Sequence, residues 1–351
     1  MAKTINNLWD DVIDFENLYF AYRAAGHGKR YRYEALRFAE ELEENLIGLQ
    51  NELIWGMYQP MPFRQFYVLD PKKRLISAPA FRDRVVHHAV VRVIEPVYEK
   101  RFISETFACR KGLGTHAAMN HVLWCSRVAK RRWGSYYVLK CDVRKFFPSV
   151  NHDIMKRTIR RSIFDRDVLF LLDTIIDAFE PGGRGLPIGA LTSQLLANVY
   201  LDPLDHYLKE ECRVKFYARY MDDFVILHHD KNYLRDLLAE IDSFLHDRLD
   251  MTLNPKTGIF PGRHGIDFCG YRIWPTHIKP RKTTVKRAKR RLRKFASVYR
   301  ESPQILKHAR ESIQSFIGYI RFCSGWRTTA SVLERATFKA TSGVDEGDAQ
   351  N

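Results

Sequence analysis

The sequence predicts an α+β fold, in which short strands form at least one antiparallel hairpin and helices lie between them. Segments 64–77, 136–143 and 216–229 are rich in β-branched and aromatic residues, which favour strands. In the intervening stretches, apolar residues at three- and four-residue steps predict helices. The chain has 351 residues, of which 45% are hydrophobic, so it can bury a large core and we expect two or three lobes.

The predicted elements follow one another in a definite order along the chain. They are a helix at about 33–55, two strands joined by a Pro-containing turn at 64–77, a helix at 82–100, a strand at 136–143, a helical stretch at about 152–179, a break at PGGRG (181–185), a helix at 192–211, a hairpin at 216–229, a turn at 253–258, a short strand region at 266–274 and a final basic helix.

The final helix combines an apolar stripe with an unusual density of positive charge. Its stripe consists of Val285, Ala288, Leu292, Phe295 and Tyr299. Ten of the twenty residues from 281 to 300 are Lys or Arg. The apolar side should pack against the rest of its lobe. The basic side should bind the backbone phosphates of a nucleic acid independently of base sequence.

The formal net charge of +16 favours a polyanionic partner, either nucleic acid or an anionic membrane surface. No window approaches the roughly 18 apolar residues that span a bilayer, and the first residues lack a signal-peptide pattern, so nucleic acid is favoured. The six cysteines are scattered without a CxxC pair, which argues against a structural zinc site. We expect reduced thiols in a cytoplasmic protein.

The segment FYARYMDDFVILHH (216–229) places two adjacent carboxylates, Asp222 and Asp223, in the middle of a strand-forming run. An unpaired carboxylate that is buried costs several kcal/mol unless charge or hydrogen bonds compensate it. A hard divalent cation such as Mg²⁺ would resolve both the burial and the mutual repulsion. For this pair alone, a solvated acidic turn is the alternative.

Asp142 favours the metal site over the solvated turn, because it is a further carboxylate at the end of an apolar strand, VLKCD. If the two strand regions are neighbours, Asp142 and Asp222 converge on one metal pair. Two metal ions about 3.5–4 Å apart activate the attacking oxygen and stabilise the leaving oxygen in phosphoryl transfer. A strongly basic protein with such a site is most simply a polymerase or a nuclease.

These residues also carry a family resemblance. Tyr220-Met221-Asp222-Asp223 resembles the YxDD motif of reverse transcriptases, and KCDVRKFFP (140–148) is similar to the motif that contains their third catalytic aspartate. Five further segments follow in the family's order: RLISAPAFRDRVVHHAV (74–90), FACRKGLGTHAA (107–118), the GLPIGALTSQ segment (185–194), LNPKT (253–257) and FCGY (268–271).

The resemblance implies a right-hand polymerase fold with fingers, a palm built on an antiparallel sheet and a short helical thumb. Residues 1–135 would form an N-terminal extension and fingers, 136–275 the palm and 276–340 the basic thumb, with a disordered tail at 341–351. It also implies RNA-templated addition of dNTPs to a 3′-hydroxyl. Two Mg²⁺ ions, for which Mn²⁺ can substitute, would be held mainly by Asp142 and Asp222, with the backbone carbonyl of Val143. Asp223 would be a weaker ligand or a charge neighbour.

Phe147 distinguishes a DNA-making enzyme from an RNA polymerase. Reverse transcriptases carry a bulky aromatic residue five positions after the first aspartate, where it clashes with a ribose 2′-hydroxyl. Phe147 matches that position, whereas Phe146 is better explained as a core residue. RNA polymerases tend to have a polar residue in this region.

Ile188-Gly189 and Ser193-Gln194 indicate which group of reverse transcriptases the sequence resembles. Retroviral, retron and group II intron enzymes usually have Gln-Gly and Ser-Pro at these positions, whereas the present residues resemble the reverse transcriptases of diversity-generating retroelements. That family copies a template-repeat RNA into cDNA with errors mainly opposite adenine. Ile188 offers only apolar packing where Gln would make polar contacts worth about 1–1.5 kcal/mol each. A strand-end core role for Ile188 is the alternative.

The resemblance assigns contacts to two further groups of residues. The incoming dNTP would meet Arg74, Lys72, Lys73, Phe147, Ile188, Gly189, Gln194 and Lys256. Primer and template would meet Tyr220, Met221, Phe268, Gly270, Tyr271, Arg110, Lys286, Arg287, Lys289 and Arg290.

The resemblance also implies partners. The matched region leaves no room for an RNase H or endonuclease domain, so other proteins are expected to remove the template and integrate the cDNA. Family members work with a small, basic, helical accessory variability protein that forms a pentamer, in the cytoplasm of a bacterial or phage-infected cell. The alternatives are a retron-like or phage-defence reverse transcriptase without adenine bias, and a catalytically silent RNA-binding protein.

Overall fold

The computed structural model describes residues 5–69, 73–179, 182–298 and 305–334. The chain divides into two compact units, each formed by two segments. Unit 1 comprises Met1–Ala118 and Leu139–Ile259, and unit 2 comprises Met119–Val138 and Phe260–Asn351. The boundaries expected for fingers, palm and thumb stay a prediction.

Helices make up most of the described chain. They are α1 (Trp9–Ile13), α2 (Phe15–Ala25), α3 (Tyr33–Glu40), α4 (Leu42–Ile54), α5 (Phe81–Glu99), α6 (Thr115–Trp133), α7 (Phe146–Ser149), α8 (His152–Arg160), α9 (Arg166–Asp177), α10 (Leu191–His206), α11 (Lys231–Leu249), α12 (Lys282–Val298), α13 (Ile305–Ile320) and α14 (Trp326–Leu333). A π-helical turn at Tyr207–Glu211 extends α10, and a 3₁₀ turn occupies Gly262–His264.

The strands form three small sheets. They are β1 (Arg64–Val68), β2 (Arg74–Ala78), β3 (Tyr137–Asp142), β4 (Phe216–Tyr220), β5 (Asp223–His228), β6 (Gly258–Pro261), β7 (Ile266–Phe268), β8 (Tyr271–Ile273) and β9 (Ile278–Pro280). The sheet orders are β1-β2, β4-β5-β3-β6 and β7-β8-β9. The pairs β1–β2, β4–β5, β7–β8 and β8–β9 are antiparallel. The expected α+β class with antiparallel sheets is confirmed.

Two long apolar helices, α5 and α10, form the centre of unit 1. Val86 and Ala89 on α5 and Leu201 and Leu204 on α10 are fully buried. The two helices pack on each other, and α2 covers α5 while α8 and α11 flank α10. Burial on nearly all sides explains why α10 lacks a polar face, with even Asn198 buried.

The β4–β5 hairpin carries the paired carboxylates of unit 1. Its last paired residues are Tyr220 and Asp223, so Met221 and Asp222 make a two-residue tip. Met221 has φ 57°, a left-handed conformation that costs a non-glycine residue about 1 kcal/mol. Since β3 lies next to β5 in the sheet, the end of β3 at Asp142 lies beside this tip, as the sequence predicts.

Unit 2 has its own small core. Leu292 of α12 packs with Phe316 and Ile320 of α13 and Val332 of α14, each of them buried. Val285, Ala288 and Phe295 pack against the same cluster, so the apolar stripe of the basic helix is confirmed where the structure describes it. Tyr299 and the tail at 341–351 fall outside the described residues.

Most predicted elements occur at the expected places, with two corrections. The stretch 33–55 is two helices separated at Glu41. The stretch 152–179 is also two helices, with Asp165 capping the second by accepting a hydrogen bond from the Val168 N–H. Sequence reasoning missed α1, α2 and α6, because it treated these regions only as an extension and a basic loop. It also assigned no element to α11 and only one helix after residue 274, so α13 and α14 were missed as well.

Candidate active site

The three predicted aspartates line one cavity of about 660 Å³ in unit 1. Eleven of the predicted contact residues form part of its wall, and they come from β2, the end of β3, α7, the segment before α10, the first turn of α10 and the β4–β5 tip. They are Arg74, Asp142, Val143, Phe147, Ile188, Gly189, Gln194, Tyr220, Met221, Asp222 and Asp223. The fold therefore brings together residues that are far apart in the chain.

Asp142 is held in place by the turn that precedes β6. The Asn254 side-chain amide donates to Asp142 Oδ2 at 2.8 Å, and the Asn254 backbone N–H donates to the Asp142 carbonyl at 2.7 Å. These two bonds fix both the backbone and the carboxylate, and they leave Oδ1 for another ligand. Asn254 belongs to the LNPKT segment, but sequence reasoning singled out only Lys256 there.

Asp222 lies at the hairpin tip, where its backbone carbonyl accepts a hydrogen bond from the Val143 N–H at 3.2 Å. Burial raises the pKa of the Asp222 carboxyl, and the neighbouring charge of Asp142 raises it further. The positive charge of Arg74 acts in the opposite direction. The site thus contains a half-buried pair of like charges that an added cation would stabilise.

Asp223 differs from the other two because its charge is already matched. Its Oδ2 lies 3.1 Å from Lys140 Nζ on β3, in a half-buried ion pair. Burial raises the pKa of Asp223 to about 6, although Lys140 lowers it. Its Oδ1 is buried and has no hydrogen-bond partner within the described residues. This geometry suits a role for Asp223 as a charged neighbour of the metal ligands at least as well as a role as a direct ligand.

The donor set fits a divalent cation that prefers oxygen. Asp142 and Asp222 are the carboxylates that would hold it, with Asp223 beside them. Burial first, and then the charge of Asp142, raises the pKa of the Asp222 carboxyl, and a bound cation would offset both effects. Among residues 5–69, 73–179, 182–298 and 305–334, no group of three or more His, Cys, Asp or Glu side chains has metal-binding geometry. When bound, such an ion supplies Lewis-acid stabilisation of the reacting oxygens.

Phe147 and Ile188 belong to the apolar part of the cavity wall. Phe146 is buried, as expected for a core residue, and its ring meets the half-buried Phe147 ring edge-on at 5.6 Å. The Ile188 carbonyl accepts a hydrogen bond from the Ser77 N–H at 3.0 Å. Gly189 has φ 130°, and a Cβ there would lie 3.1 Å from Ile76 Cγ2, so glycine permits β2 to approach this segment.

The predicted triphosphate-binding residues are only partly assembled. Arg74 begins β2, is exposed and lines the cavity. Lys73 lies over the Tyr67 ring at 4.3 Å, on the β1–β2 ribbon. Lys72 falls outside the described residues. Lys256 is exposed in its turn and, within the described chain, is not part of the cavity wall.

Three predicted nucleic-acid contacts are engaged in structural interactions instead. Arg110 donates to the Glu99 carboxylate and to the carbonyls of Ile103 and Thr106, with 9% of its side chain exposed. In unit 2, Phe268 and Tyr271 are buried. Tyr271 stacks on Tyr319 at 4.7 Å, and its hydroxyl donates to the Tyr319 carbonyl. Motif position alone could not distinguish these core roles from surface contacts.

The other predicted contacts of unit 2 lie at or near its surface. Gly270 makes the β7–β8 turn with φ 88°, and its carbonyl accepts a hydrogen bond from the Tyr319 hydroxyl. On α12, Lys286 and Arg290 are exposed, and Arg287 and Lys289 are half-buried. The Lys289 ammonium donates to Ser331 Oγ at 2.5 Å, so this lysine links α12 to α14.

Sequence reasoning missed a second layer of residues behind the cavity. Arg219 and Asp205 form a completely buried ion pair, with 0% of either side chain exposed. Burial lowers the pKa of Arg219, but the adjacent Asp205 more than offsets this and keeps the guanidinium charged. Cys109, in a left-handed conformation, is part of the cavity wall as well. An Arg inside the β-rich run FYARY was the available signal.

Comparison with known proteins gives a family match over most of this region. The model of the family described as reverse transcriptase (RNA-dependent DNA polymerase) matches residues 70–273, which include every cavity residue named above. Protein YkfC of Escherichia coli strain K12 is 29% identical over 270 residues, covering 64% of this chain and 70% of that protein.

A second relative is the group II intron-encoded protein LtrA of Lactococcus lactis subsp. cremoris, 26% identical over 185 residues. The match covers 50% of this chain and 30% of LtrA, so the chain spans less than a third of that relative. Apo telomerase from Candida tropicalis, truncated from its C-terminal domain, aligns with a TM-score of 0.49 and 13% identity over 67% of this chain and 59% of that one. This last similarity is too low to support an argument.

Proposed function

Because the chain belongs to the reverse transcriptase (RNA-dependent DNA polymerase) family, with that family's right-hand polymerase fold, we propose that it copies a template-repeat RNA into cDNA with errors directed to adenine. RNA-directed DNA polymerisation is the family's activity. The choice of template and the error spectrum are the specific parts of the proposal. The choice of template rests on the resemblance of Ile188-Gly189 and Ser193-Gln194 to the enzymes of diversity-generating retroelements. The error spectrum rests on Ile188 in the cavity wall.

The cavity residues divide the work of DNA synthesis among themselves. Asp142 and Asp222 would hold the divalent cations, Mg²⁺ or in its place Mn²⁺, where the primer 3′-hydroxyl meets the incoming dNTP. Arg74 carries a planar guanidinium on the cavity wall, which suits bidentate binding of a triphosphate. Phe147 would close the space that a ribose 2′-hydroxyl needs, so deoxyribonucleotides would be selected.

The adenine-directed part of the proposal rests on the position of the aliphatic Ile188 side chain in the cavity wall. It is half-buried on the same wall as Phe147, and the bond between its carbonyl and the Ser77 N–H fixes its backbone. An aliphatic side chain at this position offers no hydrogen bond to a nascent base pair. Each missing polar contact would lower discrimination about tenfold, since it is worth about 1–1.5 kcal/mol.

The test is to replace Ile188 and sequence the cDNA made on a template RNA containing all four bases. Ile188→Gln should lower misincorporation opposite adenine by roughly tenfold, for the energetic reason given above. Ile188→Val keeps an aliphatic side chain and should leave the errors as they are. If adenine errors are absent from the unaltered protein, the enzyme is of the retron-like or phage-defence type. If they persist unchanged in Ile188→Gln, another residue controls them.

The proposal extends to partners and location. The enzyme would act on template RNA, primer or cDNA and dNTPs, in the cytoplasm of a bacterial or phage-infected cell. A small, basic, helical accessory protein that forms a pentamer would join it on the RNA. No helix in the described part of the chain has the length and apolarity to cross a membrane.

A further inference from the structure

A network of buried side chains lies directly behind the β4–β5 tip in unit 1. Arg219 of β4 and Asp205 of α10 are its centre, and both are completely buried. Arg219 Nε donates to Asp205 Oδ1 and Oδ2 at 2.8 and 3.0 Å, and Nη2 donates to Oδ2 at 2.5 Å. This bidentate pair attaches the catalytic hairpin to the central helix of the unit.

The remaining terminal nitrogen of Arg219 reaches the tip itself. Nη1 donates to the Met221 carbonyl at 3.1 Å and to Asn198 Oδ1 at 3.1 Å. Asn198 in turn donates from Nδ2 to the Ala108 carbonyl at 2.7 Å. One guanidinium therefore contacts the helix, the tip and, through Asn198, the loop that precedes Cys109.

The backbone of Arg219 binds the same loop. Its N–H donates to the Glu105 carbonyl at 2.9 Å, and its carbonyl accepts from the Phe107 N–H at 3.0 Å. Cys109 and Met221 both lie on the cavity wall. Both are also non-glycine residues in the left-handed region, with φ of 54° and 57°. Arg219 thus stands between the two strained parts of the wall.

We propose that Arg219 is a positioning residue for DNA synthesis, which holds the Met221 carbonyl and thereby fixes the place of the Asp222 carboxylate. The inference rests on the proposed polymerase function of this cavity, which it deepens. Arg219 touches neither substrate nor reacting atoms in this arrangement, because it is buried behind the tip.

Two physical arguments support this role. A buried ion pair is no more stabilising than apolar residues of similar volume, so specificity of position is a better explanation of the Arg219–Asp205 pair than stability. A strained left-handed residue keeps its conformation only when its surroundings determine it. The bond from Arg219 Nη1 to the Met221 carbonyl is such a constraint, and the fixed guanidinium fork makes it possible while Asp205 is also bound.

The test compares Arg219→Lys with Tyr217→Phe. Lysine keeps the positive charge for Asp205 but has no planar fork to reach Met221 at the same time. Tyr217→Phe removes an equally buried bond to the same carboxylate, from the Tyr217 hydroxyl to Asp205 Oδ1 at 2.6 Å, and does not touch the tip. Thr106→Val removes a third bond to Asp205, from Thr106 Oγ1 at 2.7 Å, and is a second control.

Steady-state primer extension on an RNA template, with Mg²⁺ and dNTPs, gives the first measurement. Arg219→Lys should lower kcat about a hundredfold, because a displacement of about 1 Å can have that effect, while KM for dNTP stays within about twofold. The two controls should keep kcat within about threefold. Equal losses of kcat in Arg219→Lys and Tyr217→Phe would overturn the inference. Such a result would mean that any loosening of the bonds to Asp205 lowers kcat, whether or not the contact with the Met221 carbonyl is lost.

Hydrogen exchange of the Val143 amide gives a second measurement that needs neither metal nor substrate. This amide donates to the Asp222 carbonyl, so its protection reports whether the tip is in place. Arg219→Lys should speed its exchange at least tenfold, and the controls should not. Unchanged protection in Arg219→Lys contradicts the inference, even if kcat falls.

A milder variant covers the case in which Arg219→Lys fails to fold. Asn198→Ala removes one of the two acceptors that orient Nη1, so kcat and Val143 protection should both decrease by an intermediate amount. No change in either quantity contradicts the inference. If the unaltered protein extends no primer on RNA, the proposed function fails, whereas exchange at Val143 still decides whether Arg219 holds the tip.

Discussion

The cavity of unit 1 and the basic helix of unit 2 use charge in opposite ways. In the cavity, two of the three carboxylates have a specific side-chain partner, which is Asn254 for Asp142 and Lys140 for Asp223. On α12, exposed residues such as Lys286 and Arg290 surround an apolar stripe that packs on α13 and α14. Charged groups that take part in a reaction must be held in a precise position by hydrogen bonds. Charged groups that attract a polyanion need only lie on the same face of the helix.

The largest effect is expected from Asp142, where position matters most. Asp142→Asn keeps the shape and an acceptor for the Asn254 amide but removes the negative charge that would hold a cation. RNA-templated primer extension should fall by roughly 10³-fold or more, about 4 kcal/mol of transition-state stabilisation, while RNA affinity stays within about twofold.

Asp236→Asn is the matched control for this prediction, because Asp236 is an exposed aspartate on α11 away from the cavity wall. It should extend primers at the unaltered rate. Primer extension that survives unchanged in Asp142→Asn would mean that the carboxylates of the cavity are not its chemical centre.

An intermediate effect is expected from Phe147, which acts by shape alone. Phe147→Ala opens space beside the sugar of the incoming nucleotide, so ribonucleotides should be incorporated roughly 10–200-fold more readily relative to dNTPs. The measurement is kcat/KM for each nucleotide on the same primer and RNA template. Phe147→Tyr retains the ring as a control. Unchanged discrimination in Phe147→Ala would remove Phe147 from the sugar-selecting role.

The smallest effect is expected from the basic helix, whose charges should be interchangeable. Lys286→Gln and Arg290→Gln should each weaken RNA binding slightly and to the same extent, lowering the slope of log affinity against log salt by about 0.7–0.9. Arg281 is the control, because Asp267 already neutralises it in an ion pair. Arg281→Gln should change the slope less, and unequal effects of the first two variants would indicate specific contacts on α12.

Local patterns were sufficient for the parts of the site that form a short continuous motif. The strand VLKCD and the hairpin around Met221-Asp222 could be predicted because aromatic and β-branched runs determine strands, and the carboxylates interrupt them visibly. Phe146 is buried, as expected for a core residue, although it also lines the cavity together with Phe147, whose sugar-selecting role stays a prediction.

Residues whose role depends on distant partners could not be assigned from the sequence. In the sequence, Arg110 resembles any other basic loop residue. In the structure, its guanidinium donates hydrogen bonds to Glu99 and to two backbone carbonyls. Tyr271 reads as a surface contact, yet it stacks on Tyr319, which is 48 residues further along the chain. Arg219 is the opposite case, an arginine within a strand whose partners Asp205 and Asn198 only the fold reveals.

The sequence by itself determined the fold class, the strands and the hairpin that contain the three aspartates, and the reverse transcriptase resemblance. It also identified the aspartates as candidate metal ligands, but it did not predict α6 or α11. The features that it determined follow from local periodicity and from short motifs, which need no information about distant contacts. Only the tertiary structure decided that Asn254 orients Asp142, that Lys140 pairs with Asp223 and that Arg219 supports the tip. Such hydrogen bonds depend on side chains meeting within about 3 Å, and only the packing of separate elements brings them to that distance.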